Sequence, residues 1–222
     1  MAKPHPSSIE TELKYSLTKT EYARLEKHLN RFPHKTQAQT NYYFDTPSLA
    51  LRKLRGGLRI RTVGRQKAIL TLKLPKTPPK KGPSSLKVRY EFEEEIPIKV
   101  ARQIINEQHS LEDLKASPIK VLKSKISNRH LSQLHVLGSI TNKRIGYRYS
   151  KDLFLELDRY CLFDQVFYEL EVETDIPEET DLKIRKILKN LKIAFRPSKI
   201  SKLQRFFIEW AIRTKTKASR KE

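Results

Sequence analysis

Segments that alternate charged and apolar residues leave this chain few folds to choose from. In Ile9 to Leu17, Glu10, Glu12 and Lys14 fall on one face of an extended strand, and Ile9, Leu13 and Tyr15 on the other. Successive side chains on a strand point to opposite sides of its sheet. The design recurs where Leu58 and Ile60 flank Arg59, with Arg61 on its face, and where Leu70, Leu72 and Leu74 flank Thr71 and Lys73. Lys87, Arg89, Glu91 and Glu93 share a face, as do Glu156 and Asp158, and Glu169, Glu171 and Glu173. On one strand such a face simply points to water. Six strands together suggest more. If the sheet closes into a barrel with helices outside, the apolar faces pack under the helices and the charged faces line the bore. Amphipathic helices need an apolar sheet face to bury their stripes, which supports that orientation.

The helices are legible too. Thr18 and Glu21 form a capping box, and Tyr22, Leu25, Leu29 and Phe32 follow at helical spacing before Pro33. Strands are expected at Thr40–Phe44, Leu58–Val63, Ala68–Leu74, Lys87–Ile96, Ile140–Tyr149, Leu153–Tyr160 and Val166–Glu173. Between Ile98 and Leu137 the pattern turns to short helices, one around Val100, Ile104 and Ile105 and one around Leu131, Leu134 and Leu137. Two helices close the chain, marked by Ile184, Ile187, Leu188 and Leu191, then by Ile200, Leu203, Phe207 and Trp210. No linker separates domains. The expectation is one α+β domain over residues 1–213, with a helical insertion at about 98–137 and a disordered basic tail at 214–222.

The net charge is +21, from 46 Lys and Arg against 25 Asp and Glu. Nucleic acid, an anionic membrane or a polyphosphate substrate would each suit it. No run of 18 apolar residues exists in the sequence, and Met1 to Ser8 lacks the apolar core of a signal peptide, so a cytoplasmic protein is expected. The lone Cys161, between Tyr160 and Leu162, reads as packed and inert. The six histidines show no metal spacing, and there is no phosphate-binding glycine loop. Tyrosines alternate with basic residues at Tyr42, Tyr43, Tyr147 and Tyr149, but no RNA-binding motif accompanies them. A bore holding both signs of charge is suited to metal-assisted phosphoryl chemistry: carboxylates for Mg²⁺ or Mn²⁺, arginines and lysines for phosphate.

Glu10-Thr11-Glu12-Leu13-Lys14 resembles the ExExK signature of the CYTH superfamily, the triphosphate tunnel metalloenzymes. Further matches follow in the family's order: Asn41 to Pro47, Leu58 to Arg61, Leu70 to Lys73, Arg89 with Glu91 and Glu93, then Arg144, Asp158, Tyr168 to Glu173, and Ser198-Lys199. The resemblance spans roughly residues 9–202. It implies a closed antiparallel eight-stranded β-barrel, or tunnel, with flanking helices. It also implies metal-dependent hydrolysis of a triphosphate, first inorganic triphosphate, with thiamine triphosphatase and class IV adenylate cyclase as alternatives. A polyanion- or nucleic-acid-binding protein is the non-enzymatic alternative. Metal would be held by Glu10, Glu12, Asp158, Glu169 and Glu171, and triphosphate by Lys14, Arg59, Arg61, Lys73, Arg89, Arg144 and Lys199. Glu10, Glu12, Lys14, Arg59, Arg61 and Lys73 would carry catalysis. Glu91, Glu93 and Glu173 would line the tunnel or hold a second metal. The expected partner is a small triphosphate, with no membrane or nucleic acid, in a monomer or homodimer. Two departures stand out. Many members carry lysine where Asn142 stands here, and animal thiamine triphosphatase carries tryptophan where Gly57 stands.

Overall fold

A computed structural model describes residues 6–77, 81–198 and 200–218, with side chains described as far as residue 213. Eight strands form a closed antiparallel barrel: β1 (Ser8–Leu17), β2 (His34–Asp45), β3 (Gly57–Val63), β4 (Lys67–Pro75), β5 (Leu86–Ile96), β6 (His135–Ser150), β7 (Leu153–Leu162) and β8 (Gln165–Glu173). Around the barrel they run β1-β5-β4-β3-β2-β6-β7-β8, and β8 pairs back onto β1. Closure removes every sheet edge, and the period of two then sorts each strand into a bore face and an outer face.

The outer faces make two cores. Leu13, Tyr15, Leu155, Leu157, Leu170 and Val172 are buried under α1 (Lys19–Leu29) and α6 (Pro177–Asn190), which contribute Leu25, Leu29, Ile184 and Leu188. The capping box of Thr18 and Glu21 forms as its sequence predicts, with Thr18 accepting from the Glu21 N–H and Glu21 from the Thr18 N–H. Across the barrel, Leu58, Ile60, Leu70 and Leu72 pack against α3 (Ile98–Ile105) and α4 (Ser117–Lys123) through Ile104, Ile119 and Leu122. Each such leucine or isoleucine contributes about 1.5–3 kcal/mol by leaving water.

The elements differ from the sequence expectation in three places. First, β2 begins at His34 and β6 at His135, both earlier than expected. Lys35 to Gln39 carries no apolar face beyond Ala38, so no alternation betrays the strand, while the ladder to β6 runs from His34 to Asp45. The helix expected around Leu131, Leu134 and Leu137 is only α5 (Asn128–Leu131), because β6 takes over the chain four residues later.

Second, the last helix, α7 (Lys202–Ala218), does not lie on the outer face of the sheet. Its Phe206 and Phe207 pack on Tyr43, Ile140, Tyr160 and Leu162, which share faces with Asn41, Asn142 and Asp158. It therefore closes over one mouth of the barrel, and its backbone continues to Ala218, into the segment expected as a disordered tail. Trp210, the last of the four residues that mark this helix in the sequence, is 43% exposed with its ring edge-on to Phe207.

Third, Cys161 is exposed. It sits on the outer face of β7 beyond the reach of the helices that bury Leu155 and Leu157.

α2 (Ala50–Lys53) sits at the α7-capped mouth. The buried Asp45 carboxylate accepts from the backbone N–H groups of Thr46, Leu51 and Arg52 at 2.8, 2.8 and 2.9 Å, which fixes the loop leading into β3. Among the described residues no helix is long and apolar enough to cross a membrane.

Candidate active site

The bore opens into a cavity of about 1150 Å³ lined by charged residues from the strands and by α7. Glu10, Glu12, Lys14, Arg59, Arg61, Lys73, Arg89, Glu91, Glu93, Arg144, Glu171 and Glu173 all line it, as the alternation predicts. Asp158 and Glu169 lie beneath this lining, buried but bonded to it. Lys199 is outside the described residues.

Two groupings of charge stand out. In the first, three cations converge on three carboxylates. Arg144 grips Asp158 with two parallel bonds, Nε to Oδ1 at 2.8 Å and a terminal nitrogen to Oδ2 at 2.7 Å, and also reaches Glu171 and Glu156. Lys14 bonds Glu171 and stands 3.3 Å from Glu12 and 3.4 Å from Glu169. Lys202, the first residue of α7, donates to Asp158 at 2.7 Å and Glu171 at 2.6 Å. Tyr160 donates to Glu169 at 2.8 Å. Burial alone would raise the Asp158 and Glu171 carboxyls, but the surrounding lysines and Arg144 more than offset it and hold both below the usual carboxylate range. Lys14 is the mirror case: burial would lower it, and Glu12, Glu169 and Glu171 raise it well above an ordinary lysine.

The second grouping, on β3, β4 and β5, is looser. Lys73 donates to Glu10 at 2.5 Å and lies 3.0 Å from Glu91. Arg59 is 3.9 Å from both Glu91 and Glu93, and its Nε has no partner. Glu93 accepts from Thr71 at 2.6 Å. Arg61 makes no salt bridge among the described residues; its Nε donates to the buried Asn41 Oδ1 at 3.0 Å. Burial, with Arg59 and Arg144 beside it, brings the Arg61 guanidinium down to about 10. An arginine held by a neutral acceptor, with like charges around it, is set to receive an anion.

Sequence reasoning missed several groups. Lys202 is the chief one. Ser198-Lys199 is followed three residues on by Ser201-Lys202, and the second lysine opens the helix and enters the bore. The repeated Ser-Lys pair was the available signal. Lys87 was placed on the right face but given no role; burial and then Lys14 lower it to about 7. Glu156 shares that history; burial raises it to about 7, with Arg144 opposing. Gln39, Asn41 and Asn142 also line the cavity. At Gly57 an added Cβ would lie 2.8 Å from Leu203 of α7, so the space for a ring at this position is already filled.

A family model for the CYTH domain matches residues 8–207. The chain belongs to the CYTH domain family. The CYTH match covers all eight strands and the part of α7 that enters the bore. Among curated proteins the chain is similar to a putative triphosphatase, YjbK, of Bacillus subtilis, with 27% identity over 203 residues, or 90% of this chain and 95% of that protein. Among solved structures it is similar to the Hippeastrum putative adenylyl cyclase HpAC1, described as having a dominant triphosphatase activity, at a TM-score of 0.80 and 28% identity over 90% of this chain and 96% of the other. It is also similar to a putative adenylate cyclase of Bacillus halodurans, at a TM-score of 0.71 and 25% identity over 90% and 98% of the two chains.

Proposed function

We propose that this CYTH protein is a metal-dependent triphosphatase whose first substrate is inorganic triphosphate. The observation that carries the reading is Arg61: a bore-facing cation bonded to a neutral amide and without a salt bridge among the described residues, beside Arg59, whose Nε lacks a partner there. Triphosphate supplies the missing anion. The triphosphatase descriptions of YjbK and HpAC1 support the same reaction.

Arg59, Arg61 and Lys73 line one wall and would bind phosphate oxygens by charge-assisted bonds, while Lys14, Arg144 and Lys202 face them from the other. Phosphate entering between the walls competes with the carboxylates for these cations. As Lys14 and Lys202 turn to phosphate, Asp158, Glu169 and Glu171 regain free oxygens.

Among the described residues no three acidic, cysteine or histidine side chains are arranged to hold a metal ion. The donor set still fits a hard divalent cation, since the buried Glu12 Oε1 stands 3.3 Å from the Lys14 ammonium but makes no hydrogen bond among the described residues. Glu10 and Glu12, with the carboxylates released by Lys14 and Lys202, would hold Mg²⁺ or Mn²⁺. When bound, the metal would neutralise phosphate charge and activate water. The bore cations would stabilise charge on the departing phosphate. Gly57 and Leu203 leave β3 no ring on which to stack an organic base, which is why inorganic triphosphate is placed before thiamine triphosphate.

Phosphate release from tripolyphosphate tests the reading. Activity should vanish with chelator and return with Mg²⁺ or Mn²⁺, and Glu12→Gln should lower kcat while shifting the metal requirement to higher concentration. Full activity in excess chelator would overturn the metal role, and no release with either metal would overturn the enzyme.

A further inference from the structure

The charged lining of the bore is interrupted on one side. Asn142 of β6 lines the cavity between Gln39 of β2 and Tyr160 of β7, its direct partners across the sheet. It is fully buried, yet neither its Oδ1 nor its Nδ2 has a hydrogen-bond partner among the described residues. Buried side-chain amides are nearly always satisfied, and leaving one unpaired destabilises the fold. The nearby amide oxygens and hydroxyl proton are turned elsewhere: Gln39 Oε1 accepts from Gln37, Asn41 Oδ1 from Arg61, and the Tyr160 hydroxyl donates to Glu169. Asn142 is thus a neutral donor and acceptor aimed into the cavity and unused by the free fold. Two residues on, Arg144 shares its face.

We propose that Asn142 is a substrate-contacting, specificity-determining residue, whose Nδ2 donates to a non-bridging phosphate oxygen of the bound triphosphate. Its Oδ1 then faces the water or P–OH hydrogen that accompanies that phosphate. The group recognised is a phosphate chain, and the recognition is geometric. A carboxamide binds through directed hydrogen bonds where a cation at the same place would bind through charge at any angle. The inference rests on the triphosphatase reading, but its test needs no turnover.

The experiment measures tripolyphosphate binding to the full chain by calorimetry, in chelator, together with the thermal midpoint of the unliganded protein. Asn142→Leu keeps the shape and removes both polar atoms. Its unliganded midpoint should stay or rise, because an unsatisfied amide is gone, while tripolyphosphate affinity falls about tenfold. Asn142→Asp, a second isosteric variant should the first not fold, puts a negative charge against phosphate and should weaken binding further. Asn142→Lys should recover affinity with a steeper dependence on salt, since charge replaces directed bonding. A lower unliganded midpoint in Asn142→Leu with affinity unchanged makes the amide structural and overturns the proposal. If the wild-type protein binds no tripolyphosphate, the triphosphatase reading falls and this one with it. If wild type binds and the Leu and Asp variants bind equally well, only this inference falls.

Discussion

The two walls of the bore are built from the same residue types and behave differently. On the wall made by β6, β7, β8 and β1 with the start of α7, Arg144, Lys14 and Lys202 share Asp158, Glu169 and Glu171 at close range, and all three carboxylates are buried. On the β3-β4-β5 wall Lys73 is paired closely with Glu10 and Glu91, but Arg59 stands 3.9 Å from its carboxylates and Arg61 makes no salt bridge among the described residues. A buried ion pair is weak evidence for net stability, but breaking one is costly because the remaining charge is left uncompensated. The first wall therefore holds its own carboxylates and cations in register. The second keeps charge in reserve for a ligand. Similar alternation in sequence has produced a clamp on one side and a receptor on the other.

Removing a cation from the first wall should have the largest effect. Lys202→Ala strips a partner from both Asp158 and Glu171, with Lys14 and Arg144 left to compensate in part. The cost should be on the order of 3 kcal/mol, seen as a drop of ~10 °C in the thermal midpoint for a domain of this size. An unchanged midpoint would erase the distinction between the walls.

The second wall should show the opposite profile. Arg61→Ala should leave the unliganded midpoint level or higher, since Arg59 and Arg144 crowd it. Its kcat/KM on tripolyphosphate should fall roughly tenfold to a hundredfold, as expected for losing one bond to a charged group. A stability loss without a kinetic one would place Arg61 in the clamp.

A smaller, sharper test uses Lys87, which lies on β5 where the walls meet. With its amine near 7 in the free protein, it is mostly neutral at pH 8. Bound triphosphate favours the charged form, so binding at pH 8 should take up a fraction of a proton, and affinity should weaken as pH rises from 7 to 9. Calorimetry in two buffers of different ionisation enthalpy reads this directly, and Lys87→Met should abolish it. The fold has the reverse dependence. Between about 7 and the ordinary lysine value the unfolded chain holds the extra proton, so the free protein should gain stability as pH rises through that window. Glu156, raised to about 7, should do the opposite below it: its contribution is present under the ordinary carboxyl value and lost as pH climbs to 7.

What was legible in the sequence depended on what lay outside the barrel. Where helices bury the outer face, as over Leu58, Ile60, Leu70 and Leu72, alternation between apolar and charged residues announced both strand and site. Where nothing covers it, as along Lys35 to Gln39, both faces are polar and the strand was invisible. The same limit hid Gln39 and Asn142, since a neutral amide carries no pattern. Lys202 was hidden for another reason. A helix brings one residue in three or four to a given face, so a lysine at 199 and one at 202 cannot be told apart until the start of α7 is known.

Gly57 and Leu203 meet at 2.8 Å, measured from where a Cβ would stand, and Lys202 is the residue next to Leu203. Any side chain added at position 57 must displace the tip of the Leu203 side chain, next to the lysine whose ammonium bridges Asp158 and Glu171. An aromatic ring at position 57 would need Leu203 to turn aside or be shortened, a rearrangement at the very turn of α7 that carries Lys202 into the bore.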